Sequence, residues 1–298
     1  MNDRPDQQTL LEVQDFFNLP SPALVEKDWF VVQALQAIAG IETDGLTLVF
    51  GGGTALGRAF GLLQRMSEDI DLRVVGENAT SRPALKRVRA AISARLEEYG
   101  FPVEGHVQVK QSDKYVRYDL PYDPIMKGEG VLRPEIKIEI AAFPVRRDVV
   151  TRSVRSFCAE AAEELPEVPE IACVPLVEIA AEKFVALTRR SGAVFAGGKP
   201  DPTLVRHIYD LVRLDGQYDT DDAVMLAHET MKDDAARGYE AYQADPLGET
   251  LRTTEKLITD PATIADYDLL MGGMVYGERP AFKAAAGVLS SFVARLKG

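Results

Sequence analysis

Apolar and polar positions alternate along this chain in blocks that change period. Leu46-Thr47-Leu48-Val49-Phe50 is an apolar run that reads as a buried strand, and Gly51-Gly52-Gly53 breaks it. Residues 55–63 are expected to form a helix. After Ser67-Glu68 the sequence Asp69-Ile70-Asp71-Leu72 alternates, which predicts a second strand. Residues i and i+2 of a strand share a face, so Asp69 and Asp71 point one way and Ile70 and Leu72 the other. Residues 134–141 alternate as cleanly, with Ile136, Ile138 and Ile140 opposite Glu135, Lys137 and Glu139. Shorter strands are expected at 103–108 and 115–120, with a turn over Met126-Lys127-Gly128-Glu129-Gly130.

Helical period appears elsewhere. Residues 10–17 form a short amphipathic stretch. Ser21-Pro22 is an N-cap followed by proline at the first helical position, and the helix it opens runs to about Ala39. Leu24, Trp29, Val32, Leu35 and Ile38 are its expected buried side, and Glu26-Lys27-Asp28 reads as surface charge flanking Trp29. Ser81-Arg82-Pro83 opens another helix, ended by Gly100. Residues 160–175 are rich in Glu and Pro, which marks a boundary. Beyond it the strand signals stop. Helices are expected at 175–190 and 201–214, then in three acidic segments, then at 280–296. The fold class is therefore α+β (mixed α/β): an N-terminal sheet with flanking helices at 1–165 and a helical C-terminal domain at 166–298.

Composition narrows the function only in part. No run of 18 apolar residues is present, so no membrane span is expected. The opening MNDRPDQQTL has no apolar core of a secretory signal. Cys158 and Cys173 are too few for a disulfide framework, which fits a reducing cytoplasm. The formal net charge is −12, and acids concentrate between Gly216 and Asp268. Local basic groups stand elsewhere: Lys86, Arg87, Arg89 and Arg95; Arg146, Arg147, Arg152 and Arg155; Arg189, Arg190, Lys199, Arg206 and Arg213. Each is either a phosphate-binding surface or a solvated face.

The chemistry concentrates at residues 46–75. Two carboxylates on one strand face repel unless they are well solvated or hold a cation, and Mg²⁺ is bound through one or two carboxylates plus substrate phosphates. Glycines let backbone N–H groups approach a ligand, and a helix start just after them favours anions. A lone Gly-Gly-Gly or a lone Asp-x-Asp is ordinarily a turn or a solvated strand end. The order strand, Gly-Gly-Thr, helix, Asp-x-Asp strand is more specific. It is neither a Walker loop, which needs Gly-Lys-Ser/Thr, nor a dinucleotide fingerprint, which needs GxGxxG.

GGTALGRAFGLLQRMSEDIDL resembles the nucleotidyltransferase signature of the polymerase-beta-like superfamily. It is similar in particular to the AbiEii/AbiGii toxin family, MenT-like toxins included. Gly51 stands where that family often carries Lys, and Met66 where it has Phe. Three further stretches resemble family motifs in the right order: Lys137-Ile138-Glu139, Glu182-Lys183-Phe184-Val185-Ala186-Leu187, and Arg206-His207-Ile208-Tyr209-Asp210-Leu211. Glu26-Lys27-Asp28-Trp29 is also similar to a family tetrapeptide.

The resemblance implies a nucleotidyltransferase toxin of a bacterial toxin–antitoxin and phage-defence system. It implies that Asp69, Asp71 and Glu139 hold two Mg²⁺ ions, with Mn²⁺ as the alternative. Gly52, Gly53, Thr54 and Ser67 would lie at the phosphates of an NTP, with Lys183 and Arg206 adding positive charge and Asp210 holding Lys183. The site would lie between the two parts. The implied acceptor is RNA, at the 3′ end of tRNA, and a co-encoded antitoxin is the implied partner. The rival readings are transfer to a protein or small-molecule hydroxyl, and an NTP-binding interaction protein without chemistry.

Overall fold

The computed structural model describes residues 3–126 and 132–298, without the side chains of residues 240 and 241. The chain divides into two compact units, Met1–Val174 and Pro175–Gly298.

The first unit is built on a mixed sheet. Its strands are β1 (Glu42–Thr43), β2 (Leu46–Gly51), β3 (Asp69–Val75), β4 (Val107–Lys110), β5 (Tyr115–Pro121), β6 (Glu135–Ala141), β7 (Val150–Val154) and β8 (Val168–Cys173). They lie in the order β4-β5-β6-β3-β2-β8-β7, and β1 pairs with β2 off this path. β3 runs antiparallel to β2 and parallel to β6, and β6 is antiparallel to β5. The period-2 pattern explains the two faces. Ile70, Leu72 and Val74, Ile136, Ile138 and Ile140, and Val116, Tyr118 and Leu120 are all buried in one core with the helices Pro22–Ile38 and Arg82–Glu98. The alternate positions of β3, β5 and β6 form a half-exposed polar face. A one-residue slip of β6 would bury Glu135, Lys137 and Glu139 and expose three isoleucines, each worth about 1.5–3 kcal/mol when buried, so this register is strongly specified.

Four sequence expectations are corrected here. The helix expected over 55–63 is one turn at Gly52–Thr54 followed by a π-helical turn at Ala55–Ala59. Gly61, with φ +65°, then turns the chain back, and Leu63 and Met66 are buried on the return. The helix Pro22–Ile38 is buried nearly all round rather than on one side. Glu26, Lys27 and Asp28, read as surface charge, are 2%, 2% and 6% exposed. The boundary read at 165/166 falls at 174/175, because Val168–Cys173 is a strand of the sheet. Pro169 hid it; the chain tolerates the proline where the β7–β8 ladder shifts register between Arg152 and Val154. The turn expected at 126–130 lies, from residue 127 on, outside the described residues.

The second unit is helical. Its central helix, Leu176–Phe195, packs against Val205–Leu214, Thr220–Ala236 and Pro246–Leu257, and Phe282–Leu296 closes over the middle two. Aspartates cap several of its helix starts: Asp219, Asp245 and Asp260 each accept a backbone N–H in the first turn. Among the described residues no helix is long and apolar enough to cross a membrane.

Candidate active site

The parallel pairing of β3 with β6 sets Asp69 opposite Lys137 and Asp71 opposite Glu139. Two acids 68 residues away from their counterparts in sequence thus meet on one polar face. Lys137 sits among them: its Nζ donates to Asp69 Oδ2 at 3.2 Å and lies 2.7 Å from Glu139 Oε1. Burial works against the Lys137 charge, but the Glu139 and Asp69 carboxylates outweigh it and raise its pKa. On β5, Arg117 faces Glu139 in register and binds Asp119 at 2.6 Å. Tyr115 titrates above its ordinary value because it is partly buried and hydrogen-bonds Glu139.

The Gly52-Gly53-Thr54 turn leans on the same acids. Gly52 has φ +72°, and a Cβ built on it would fall 1.9 Å from Asp71 Oδ2. The turn's backbone therefore lies flat against that carboxylate, an approach only glycine permits. A Cβ on Gly53 would meet Ser67 Oγ at 2.7 Å and the Arg65 guanidinium at 3.0 Å. Thr54 Oγ1 donates to the Asp69 carbonyl at 2.5 Å and lies 3.1 Å from Ser67 Oγ. Gly52, Gly53, Thr54, Ser67, Asp69, Asp71 and Glu139 are thus one local assembly, as the sequence suggested. Arg65 belongs beside it and was not singled out; its guanidinium, 6% exposed as a residue, also donates to the Met66 carbonyl.

The buried Glu26-Lys27-Asp28 braces this region. Glu26 accepts from the backbone N–H groups of Ile125 and Met126 and pairs with Arg4. Lys27 donates to the carbonyls of Arg133 and Glu135 and lies 3.2 Å from Glu68, so it pins the start of β6. Asp28 accepts the Phe157 N–H at 2.8 Å, with Arg58 3.5 Å away. Burial pushes Asp28 up to about 6; Arg58 and the Phe157 N–H oppose that rise, while Glu167 and Glu160 add to it.

In the second unit Lys183 and Asp210 form a buried ion pair at 2.7 Å, with Asp210 fully buried. That is the pairing read from the sequence, and it satisfies an ammonium on an otherwise apolar helix face. Arg206 Nη2 lies 3.4 Å from Met274 Sδ. Many arginines of the basic groups have acidic partners: Arg87 with Asp44, Arg89 with Asp113, Arg189 with Asp234, Arg213 with Glu278. Of these, Arg87 and its partner stand on an exposed face, while Arg89 and Arg189 bind the buried Asp113 and Asp234.

A divalent cation fits the donor chemistry of the first unit. Asp69, Asp71 and Glu139 offer hard carboxylate oxygens on adjacent strands, and the Lys137 ammonium stands against Asp69 and Glu139. Among the described residues no three His, Cys, Asp or Glu side chains are drawn together as a closed metal cage.

A family model described as nucleotidyl transferase AbiEii toxin of a type IV toxin–antitoxin system matches residues 33–288. Among solved structures the chain is similar to MenT4, a nucleotidyltransferase toxin from Mycobacterium tuberculosis H37Rv. The TM-score is 0.57 at 17% identity, over 97% of this chain and 89% of that one, which is a likeness of fold. No curated protein matches the chain.

Proposed function

The chain belongs to the AbiEii nucleotidyltransferase toxin family of type IV toxin–antitoxin systems, and on that footing we propose that it moves a nucleoside monophosphate from an NTP to an RNA 3′ hydroxyl. The acceptor we assign is the 3′ end of tRNA, whose extension would block translation. The observation that carries the reading is the β3–β6 register, which pairs Asp71 with Glu139 and puts Asp69 on the same face, while the β2–β3 pairing brings Gly52 against Asp71.

In this reaction the acceptor oxygen attacks the α-phosphorus, the bond to the bridging oxygen breaks, and pyrophosphate leaves. Asp69, Asp71 and Glu139 would hold two Mg²⁺ ions, or Mn²⁺, which when bound lower the pKa of the attacking hydroxyl and neutralise the leaving group. Glu139 takes the hydroxyl proton. The backbone of Gly52, Gly53 and Thr54 cradles the β- and γ-phosphates, with Ser67 beside them. In the second unit we assign nucleotide binding to Lys183 and Arg206, with Asp210 orienting Lys183. Both cysteines are thiols, consistent with a cytoplasmic setting, and the toxin–antitoxin family supplies an antitoxin as partner.

The test is a transfer assay with Mg²⁺, each α-labelled NTP in turn and total RNA. A labelled band of tRNA size, lost in Asp69→Asn with the fold intact, supports the reading, and full activity in that variant refutes the site. The net charge of −12 favours a second reading, transfer to a protein or small-molecule hydroxyl. Label on those products and not on RNA would establish it. Bound NTP with no label anywhere would mark a protein without chemistry.

A further inference from the structure

On the polar face of the first unit, a cavity of about 290 Å³ opens beside the acidic cluster, lined by Lys27, Glu68, Asp69, Arg117, Arg133 and Lys137 among others. In the sheet, β5 and β6 lie on one side of β3, while β2 and its glycine turn lie on the other. The cavity and the turn therefore flank Asp69 and Asp71 from opposite sides. A nucleotidyl transfer brings two substrates to one set of acids. With the triphosphate at the glycine turn, the flank with the cavity is the side from which an acceptor approaches.

Basic side chains and the acids Glu68, Asp69 and Glu135 share the lining, and the arginines differ in how far they are engaged. Lys27 is a fixed brace, its ammonium spent on two carbonyls and Glu68. Arg133 reaches outward, its side chain 81% exposed and only loosely paired with Glu135 at 3.7 Å. Arg117 is held by Asp119 through Nε and Nη2 and keeps about a third of its side chain in solvent. Guanidinium groups match phosphate oxygens as forks, where an ammonium acts as a point charge. The volume is at the lower end of ligand pockets, about right for one nucleotide and too small for a duplex.

We infer that this cavity is the acceptor subsite, in which Arg117 and Arg133 each take one phosphate of successive nucleotides at the 3′ end of a single-stranded RNA. The phosphates then sit at the arginines while the terminal hydroxyl reaches Asp69 and Glu139. Lys137, which lines the cavity and bridges those two acids, is the cation at the junction of the two subsites. This rests on the reading of the chain as a transferase acting on RNA.

The experiment is fluorescence anisotropy of a 5′-labelled single-stranded RNA with a free 3′ hydroxyl, at several salt concentrations. Wild type is compared with Arg117→Gln and Arg133→Gln, and calorimetry with inorganic tripolyphosphate and Mg²⁺ reports the nucleotide side. Each variant should weaken RNA binding about tenfold and flatten the log–log salt slope by about 0.7, one phosphate contact per arginine. Tripolyphosphate binding and thermal melting should not move, and Lys at either position should restore part of the RNA affinity. Unchanged RNA affinity in both variants overturns the inference. Lost tripolyphosphate binding with intact RNA binding also overturns it, by giving the cavity to the nucleotide. Failure of the parent reading looks different: wild type itself neither binds nor labels RNA, and the label goes elsewhere.

Discussion

Gly52→Ala and Gly61→Ala form a matched pair. Both glycines hold left-handed backbone, φ +72° and +65°. In either place alanine costs about 1–2 kcal/mol of backbone strain. Their surroundings differ. A Cβ at Gly61 has nothing within 4 Å, while one at Gly52 lands 1.9 Å from Asp71 Oδ2. Real Cβ contacts do not fall below 3.0 Å, so the Asp71 carboxylate must retreat by at least about 1 Å. A displacement of that size in a catalytic group costs about 100-fold in rate, or about 2.7 kcal/mol of transition-state stabilisation. Urea denaturation should thus show comparable stability losses for the two variants. Pyrophosphate release should fall about 100-fold in Gly52→Ala and stay near wild type in Gly61→Ala. Gly52→Ala with wild-type turnover would refute the claim that the turn and Asp71 are one assembly. Equal rate losses in both variants would show that strain alone, and not the Asp71 contact, governs activity.

Three further outcomes follow from the same geometry. Asp28 holds a proton in the fold up to about pH 6 but loses it near 3.8 when unfolded. Between those values the folded state binds more protons, so the wild type loses stability as pH rises from about 4 to 6, by about 3 kcal/mol relative to Asp28→Asn; parallel stability–pH curves for the two would contradict it. Lys183→Met leaves the fully buried Asp210 without its ammonium and should cost about 3–5 kcal/mol, much of it recovered in Lys183→Met/Asp210→Asn, as a urea double-mutant cycle would read. Lys137→Met removes the ammonium that competes for Asp69 and Glu139 through two part-exposed pairs worth about 0.5–1 kcal/mol each, so Mg²⁺ should bind about tenfold more tightly by calorimetry without nucleotide; unchanged affinity would mean Lys137 does not occupy the cation's place.

Local pattern carried part of this site and long-range pairing carried the rest. The alternation of Asp69-Ile70-Asp71-Leu72 and of Glu135 to Ala141 was enough to put the acids on polar strand faces, and both strands lie where that pattern put them. Nothing in the pattern says that β6 lies beside β3 and not elsewhere in the sheet; that came from the family resemblance. The burial of Glu26-Lys27-Asp28 was illegible for a physical reason. A charged triple is costly to bury unless each member finds a partner, and the partners, Arg4 with residues 125–126, residues 133–135, and Phe157, are all distant in sequence. The strand Val168–Cys173 was obscured by Pro169, and the helix after the glycine turn was overextended because its Leu62 and Leu63 read as helix face when they belong to the returning chain. Arg117 and Arg133 carry no sequence motif at all and become visible only once β5 and the start of β6 are side by side.

The separation of Asp71 from Glu139 along the chain also sets a clock. The glycine turn and both β3 acids leave the ribosome well before β6 is made, and β3 can pair with β2 as a local hairpin in the meantime. Synthesis of the intervening 68 residues takes roughly 3–14 s at about 5–20 residues per second. Through that interval the growing chain has the turn and two acids but no third carboxylate and no Lys137 opposite Asp69. The polar face of the first unit is thus completed only by a parallel, non-local strand pair, and the second unit, Pro175–Gly298, is made later still.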